Sequence, residues 1–130
     1  MRRAGRDDSD DTGRMEIDAG DQEAVAVVQR QLDAYNARDL EAFCATYHPA
    51  VVVEDGFGQV VLTGMAELRR AYADRFARPE LHAELVGRLA VGPWVVDQER
   101  VTGLEVEPVH AIATYLVREG VITRVRLIRG

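Results

Sequence analysis

The run Val51-Val52-Val53-Glu54-Asp55 ends in a carboxylate and is followed by Gly56-Phe57-Gly58. Its β-branched residues make a short strand, and the glycines turn the chain into Gln59-Val60-Val61-Leu62, so the segment reads as a hairpin. A carboxylate at a strand end, facing an apolar cavity and flanked by Phe57, can accept a proton from a carbon next to a carbonyl. Asp before Gly also suits a turn, its oxygen bonding the Gly56 and Phe57 amides, and the residues alone leave both roles of Asp55 open. Gln31 and Tyr35 lie one helical turn apart and can each donate a hydrogen bond. Tyr47, close to the hairpin, is a further candidate for a pocket. Trp94 and Asp97 share a strand but stand three residues apart, so only one of them can face a cavity. Trp94 reads as a core or dimer-contact aromatic, with stacking on a ligand as the alternative, and Asp97, beside Gln98, Glu99 and Arg100, as part of a solvated face.

Other chemistries find no support. His48, His82 and His110 lack metal-ligand spacing, so no metal is expected. There is no Gly-rich phosphate loop, paired-cysteine site or Ser-His-Asp spacing, and no cofactor is expected. Cys44, the lone cysteine, lies between Phe43 and Ala45 and reads as a small buried hydrophobe. A net charge of −6, with 16 cationic residues that are all arginine, argues against nucleic acid, whose phosphates demand clustered positive charge. No stretch approaches the roughly 18 apolar residues of a membrane span, and the N-terminus lacks the apolar core of a secretory signal, so a cytoplasmic protein is expected.

The elements that would position these residues follow from periodicity. Residues 1–20 carry arginines, then aspartates and glycines, and read as a disordered acidic tail. From Asp21, a helix cap, Val25, Val28, Leu32 and Tyr35 recur at helical spacing. Asn36-Ala37-Arg38 breaks that helix, and Asp39 caps a short second one with Leu40, Phe43 and Tyr47 as its stripe, ended by His48-Pro49. Thr63 caps a third helix carrying Met65, Leu68, Tyr72 and Phe76. Then the period changes to two: Leu81, Ala83, Leu85, Leu89 and Val91 form the apolar side of a long strand, and strands over Trp94–Thr102, Val109–Arg118 and Val121–Arg129 complete an antiparallel meander. Helices gathered before strands give one α+β domain over residues 21–130. A strongly curled sheet with a helix across its concave side leaves a pocket at the wider end.

Val27-Val28-Gln29-Arg30, Asn36-Ala37-Arg38-Asp39-Leu40, Val53-Glu54-Asp55 and Thr63-Gly64 together resemble the nuclear transport factor 2-like superfamily, and within it the ketosteroid isomerase and SnoaL-like cyclase branch. The resemblance implies a cone-shaped α+β fold, three N-terminal helices packed on a curved antiparallel sheet. In ketosteroid isomerases the general base is an aspartate in a Val-Glu-Asp segment ending the first strand, which gives Asp55 that role. The position of the tyrosine that donates to the enolate oxygen is Gln31, and Ala113 stands where the protonated aspartate belongs. Loss of that oxyanion site argues against steroid isomerisation itself and leaves another acid–base reaction on a carbonyl-containing or apolar small molecule. Gln31, Tyr35, Tyr47, Phe57, Trp94 and Ala113 are the substrate-binding candidates. The resemblance also implies a homodimer through the outer sheet face, where Arg124, Arg126 and Arg129 suit acidic partners. A non-catalytic ligand-binding or dimerisation and adaptor domain is the alternative function.

Overall fold

The structure is a computed structural model that describes residues 19–130. The expected tail lies outside the described residues, except for Ala19 and Gly20, which already belong to the first helix. That helix, α1 (Ala19–Ala37), turns Ala24, Val27, Val28, Leu32 and Tyr35 inward at the spacing of a single apolar stripe. Asp21, expected as the cap, therefore lies within the first turn, and its carboxylate acts across the fold by accepting the Gly92 N–H. Arg38 takes a left-handed φ of 54°, where the Arg38 and Asp39 amides cap the helix end. Asn36 then fastens α1 to the sheet: its Oδ1 accepts the Ala83 N–H at 2.8 Å and its Nδ2 donates to the Ala83 carbonyl at 3.0 Å.

The short helix α2 (Leu40–Cys44) is capped by Asp39, which accepts the Ala42 N–H at 3.1 Å. It ends earlier than its apolar stripe suggests, and Tyr47 opens strand β1 (Tyr47–Asp55) instead of closing the helix. β2 (Val60–Thr63) pairs back on β1, and α3 (Gly64–Phe76) follows. Thr63 stands at the N-cap of α3 but makes no side-chain cap bond; the Glu67 carboxylate reaches back to accept the Thr63 N–H at 2.8 Å. Phe43, with no exposed surface, meets Tyr35, Tyr47, Tyr72 and Phe76 at ring-centroid distances of 6.2, 5.0, 4.5 and 5.2 Å. This aromatic knot locks the three helices together, and buried rings of this kind supply large apolar area.

β3 (His82–Val91), β4 (Trp94–Thr102), β5 (Val109–Arg118) and β6 (Val121–Arg129) form the expected antiparallel meander. The whole sheet runs β2-β1-β6-β5-β4-β3, curled and unclosed, and one of its pairs departs from the expectation, because β1 lies parallel to β6. Alternation along β3 also breaks. Between Leu85 and Gly87 the pairing with β4 slips by one residue, so Leu81, Ala83 and Leu85 face inward while Leu89 and Val91 turn out to solvent. The same slip carries Arg88 inward. Beyond β4, Gly103, at φ +79°, lies so close to the backbone of Glu80 and Leu81 that a Cβ would overlap it, which holds the loop carrying Leu104 against the start of β3.

Candidate functional site

A cavity of about 110 Å³ opens between α1, α3 and the concave side of the sheet. Gln31 and Tyr35 reach it from α1, Tyr72 and Arg75 from α3, Glu99 from β4, Ala111 and Tyr115 from β5, and Leu127 and Arg129 from β6. Helical spacing puts Gln31 and Tyr35 on one face, as the sequence requires. Strand parity puts Glu99 inward beside Val101 and opposite Ala111.

Glu99 is the carboxylate of this cavity whose ionisation is most disturbed. Its pKa is pushed up to about 7, chiefly by burial and then by the Asp97 carboxylate on the same strand face, against an opposing pull from Arg88. Asp97, fully buried, is held by Arg88, whose Nε and Nη2 donate to its two oxygens at 2.6 and 2.9 Å, while Nη1 donates to Gln29 at 2.8 Å. Asp97 therefore corrects the reading of a solvated face: the slip in β3 delivers a cation to its inner side. Trp94, three residues earlier, lies on the outer face and is 43% exposed, away from the cavity.

The tyrosines are proton donors at neutral pH. Burial pushes Tyr35 up to about 12, and burial likewise raises Tyr47, Tyr72 and Tyr115, the last with an added contribution from the Glu99 charge. Gln31, 5% exposed, donates from Nε2 to the Tyr47 hydroxyl at 3.1 Å, and its Oε1 has no partner. Whichever way the amide is turned, one of its ends is left over in the cavity wall. Tyr47 thus backs Gln31 rather than lining the cavity, and Ala113 is buried one pair of positions along β5 from Ala111.

Asp55 stands at the end of β1 opposite Leu127, and its Oδ1 accepts the N–H groups of Phe57 and Gln59 at 2.9 and 3.0 Å. Both bonds belong to the hairpin turn, and neither Asp55 nor Phe57, which is 94% exposed, is among the cavity-lining residues. Of the sequence-derived candidates the cavity gathers Gln31 and Tyr35; it adds Glu99, Arg75 and Tyr115. Arg75 had an available signal, because it is a charge on the buried stripe of Leu68, Tyr72 and Phe76. Glu99 had a weaker one, its place within a run of polar residues hiding an inward parity. Among the described residues no group of His, Cys, Asp or Glu is arranged to hold a metal, and no helix is long and apolar enough to cross a membrane.

Three helices over a curled six-stranded sheet, with a cavity under α1, define the nuclear transport factor 2-like class of fold. The chain belongs to the SnoaL-like domain family, whose model matches residues 28–125. Among solved structures, an uncharacterized cystatin-fold protein from Novosphingobium aromaticivorans is 29% identical, with a TM-score of 0.76 over 82% of this chain and 97% of that one. A candidate ketosteroid isomerase from Kribbella flavida is 22% identical, with a TM-score of 0.73 over 84% of this chain and 78% of the other. A candidate polyketide cyclase from Sinorhizobium meliloti is 23% identical, with a TM-score of 0.69 over 78% and 93%. No curated protein matches the chain.

Proposed function

We propose that the cone cavity binds a small carbonyl-containing molecule and moves a proton next to its carbonyl, with Glu99 as the acid–base group. The observation that carries this reading is Glu99 in the cavity wall with its pKa pushed up to about 7. A carboxylate poised there takes a proton from carbon and returns it without being trapped in either state at neutral pH. The Tyr35 and Tyr115 hydroxyls, both in the wall, can donate to a carbonyl oxygen as charge develops on it. The named relatives lend the same direction through the words isomerase and cyclase.

Asp55 as base is the competing form of this reading, supported by its Val-Glu-Asp setting and its place opposite the cavity residue Leu127. The two separate in a washout assay on small ketones and keto acids deuterated next to the carbonyl. Glu99→Gln is expected to slow washout about 100-fold or more while Asp55→Asn leaves it within a few-fold, because Asn still accepts the turn bonds. The reverse pattern returns the base to Asp55, and no washout by the wild type leaves a binding module without catalysis.

The outer sheet face supports a homodimer as the second part of the proposal. Leu89, Val91, Trp94, Ile112 and Ile128 are exposed there, beside Glu54 clamped by Arg124 and Arg126 at 2.9 Å each. Arg129 does not join this clamp; it turns to the cavity side and pairs with Glu105 at 2.7 Å. Contiguous exposed apolar surface of this kind favours a partner, and a second copy offers the same surface in return. Sedimentation velocity should give a species of twice the 14.4 kDa chain mass, reduced to the monomer by Trp94→Asp. A wild type that sediments as a monomer at high micromolar concentration would remove the dimer.

A further inference from the structure

Arg75 is a cation in the cavity wall without an anion among the described residues. The ion pairs among the described residues engage other arginines, Arg129 at the same cavity included, and no carboxylate figures among the groups acting on Arg75. Its guanidinium lies 4.9 Å from the centroid of the Tyr72 ring and beside the Tyr35 hydroxyl. Tyr72 fixes the stem and the plane of the charge, but a ring face does not replace a carboxylate, whose two oxygens match the guanidinium fork. The Glu99 carboxylate lies in the same wall but makes no ion pair with Arg75. One part of the cavity is therefore cationic while another holds a protonatable acid.

A second and independent observation lies on α1. Gln31 is buried, lines the cavity and leaves an amide end without a partner. Buried polar groups are nearly always hydrogen-bonded, so an unpaired one in a cavity wall points to something that enters. Size sets the remaining limit: at about 110 Å³ the cavity is smaller than the roughly 150 Å³ that encloses a benzene ring, so a short chain fits within it while a ring must extend through its open mouth.

We infer that the ligand is a small carboxylic acid, of one ring or a short chain, whose carboxylate is received by Arg75 with the Tyr35 hydroxyl, and whose hydroxyl or carbonyl end meets the Gln31 amide. This deepens the proposed function by naming the substrate class, and it rests on reading the cavity as a ligand site. An anchored carboxylate leaves the rest of the molecule to extend along the wall toward Glu99 and Tyr115. It also accounts for the absence of a counter-ion to Arg75 among the described residues, since an internal carboxylate there would exclude that of the ligand.

The test is calorimetric titration of the full chain at pH 7 and low salt with three acid and amide pairs: benzoate and benzamide, 4-hydroxybenzoate and 4-hydroxybenzamide, 2-oxobutyrate and 2-oxobutyramide. The wild type should prefer the acid of at least one pair by tenfold or more. Arg75→Gln should erase that preference while binding the amide as the wild type does, and Arg75→Lys should keep part of it. Gln31→Leu should remove any advantage of 4-hydroxybenzoate over benzoate. Thermal melts of each variant check that it is folded. Equal affinity for acid and amide, or a preference that survives Arg75→Gln, overturns the carboxylate assignment while leaving the cavity a ligand site. Binding of none of the six compounds takes down the ligand site and this inference together.

Discussion

Glu99→Gln is expected to stabilise the folded protein at pH 8 and to leave its stability unchanged at pH 4. In the folded chain Glu99 ionises at about 7, against the usual glutamate value of 4.5, mainly because burial strips water from the charged form. A raised folded pKa means that the native state holds a proton which the unfolded state releases. Below about pH 4.5 both states are protonated and Glu99 costs nothing. Between about 4.5 and 7 the unfolded chain ionises first, so stability falls as pH rises, and above 7 the full penalty is in place. From the difference between the two pKa values, that penalty is about 3 kcal/mol. Gln has nearly the same shape and no charge, so it escapes the penalty. Urea unfolding of wild type and variant at pH 4, 6 and 8 measures it directly; equal stabilities at pH 8 would show that Glu99 reaches water and titrates normally. Such a gain of stability on removing a group from a ligand cavity is the expected signature of a residue kept for function.

The order of elements was legible in the sequence because periodicity is a local property. The change from helical spacing to alternation at Leu81 marked where helices end and the meander begins. The inner face of β5 came from the resemblance: if the face of Ala111 and Ala113 lines the cavity, as the isomerase strand implies, His110 points outward, and His110 is exposed. What local pattern does not encode is pairing between distant strands. The parallel contact of β1 with β6 joins residues about seventy positions apart and leaves no mark in either segment. Tyr47 was assigned to a helix because Leu40, Phe43 and Tyr47 satisfy a helical stripe, yet the same residues satisfy a helix that stops at Cys44 and a strand whose first side chain turns inward.

The site was less legible than the fold, for the same physical reason. Resemblance supplied Gln31 as a departure from a donor position, and helical spacing supplied Tyr35. Glu99 and Arg75 are cavity residues only because the sheet curls beneath α1 and α3, and that curl is a property of the assembled sheet. Asp55 shows the converse. Its motif is local and so was visible, but the same local chemistry, a carboxylate before glycine, also builds a turn, and the Phe57 and Gln59 amides are bonded to it.

Asp97→Ala should be the most damaging single substitution of those considered, costing about 3–5 kcal/mol, because it leaves Arg88 facing the interior without its anion. Asp97 has no exposed surface, and Arg88 grips both of its oxygens while also reaching Gln29 on α1. The pair therefore ties β3, β4 and α1 together at the point where the slip in β3 turns Arg88 inward. Deleting one partner costs more than the pair contributes, since the other charge stays behind. The double variant Arg88→Met with Asp97→Leu should accordingly recover most of the loss, although each half of it is destabilising. Guanidinium unfolding of the two single variants and the double variant reads the coupling; a double variant no better than Asp97→Ala would mean that the ion pair itself, and not the orphaned charge, sustains this corner of the sheet. The same variants act on the cavity. Because the Asp97 charge raises the Glu99 pKa and Arg88 lowers it, removing Asp97 alone should bring Glu99 down toward its usual range and move any pH–rate profile to lower pH, while removing Arg88 alone should move it up. One buried pair outside the cavity wall thus supports this corner of the sheet and tunes the acidity that burial gives Glu99.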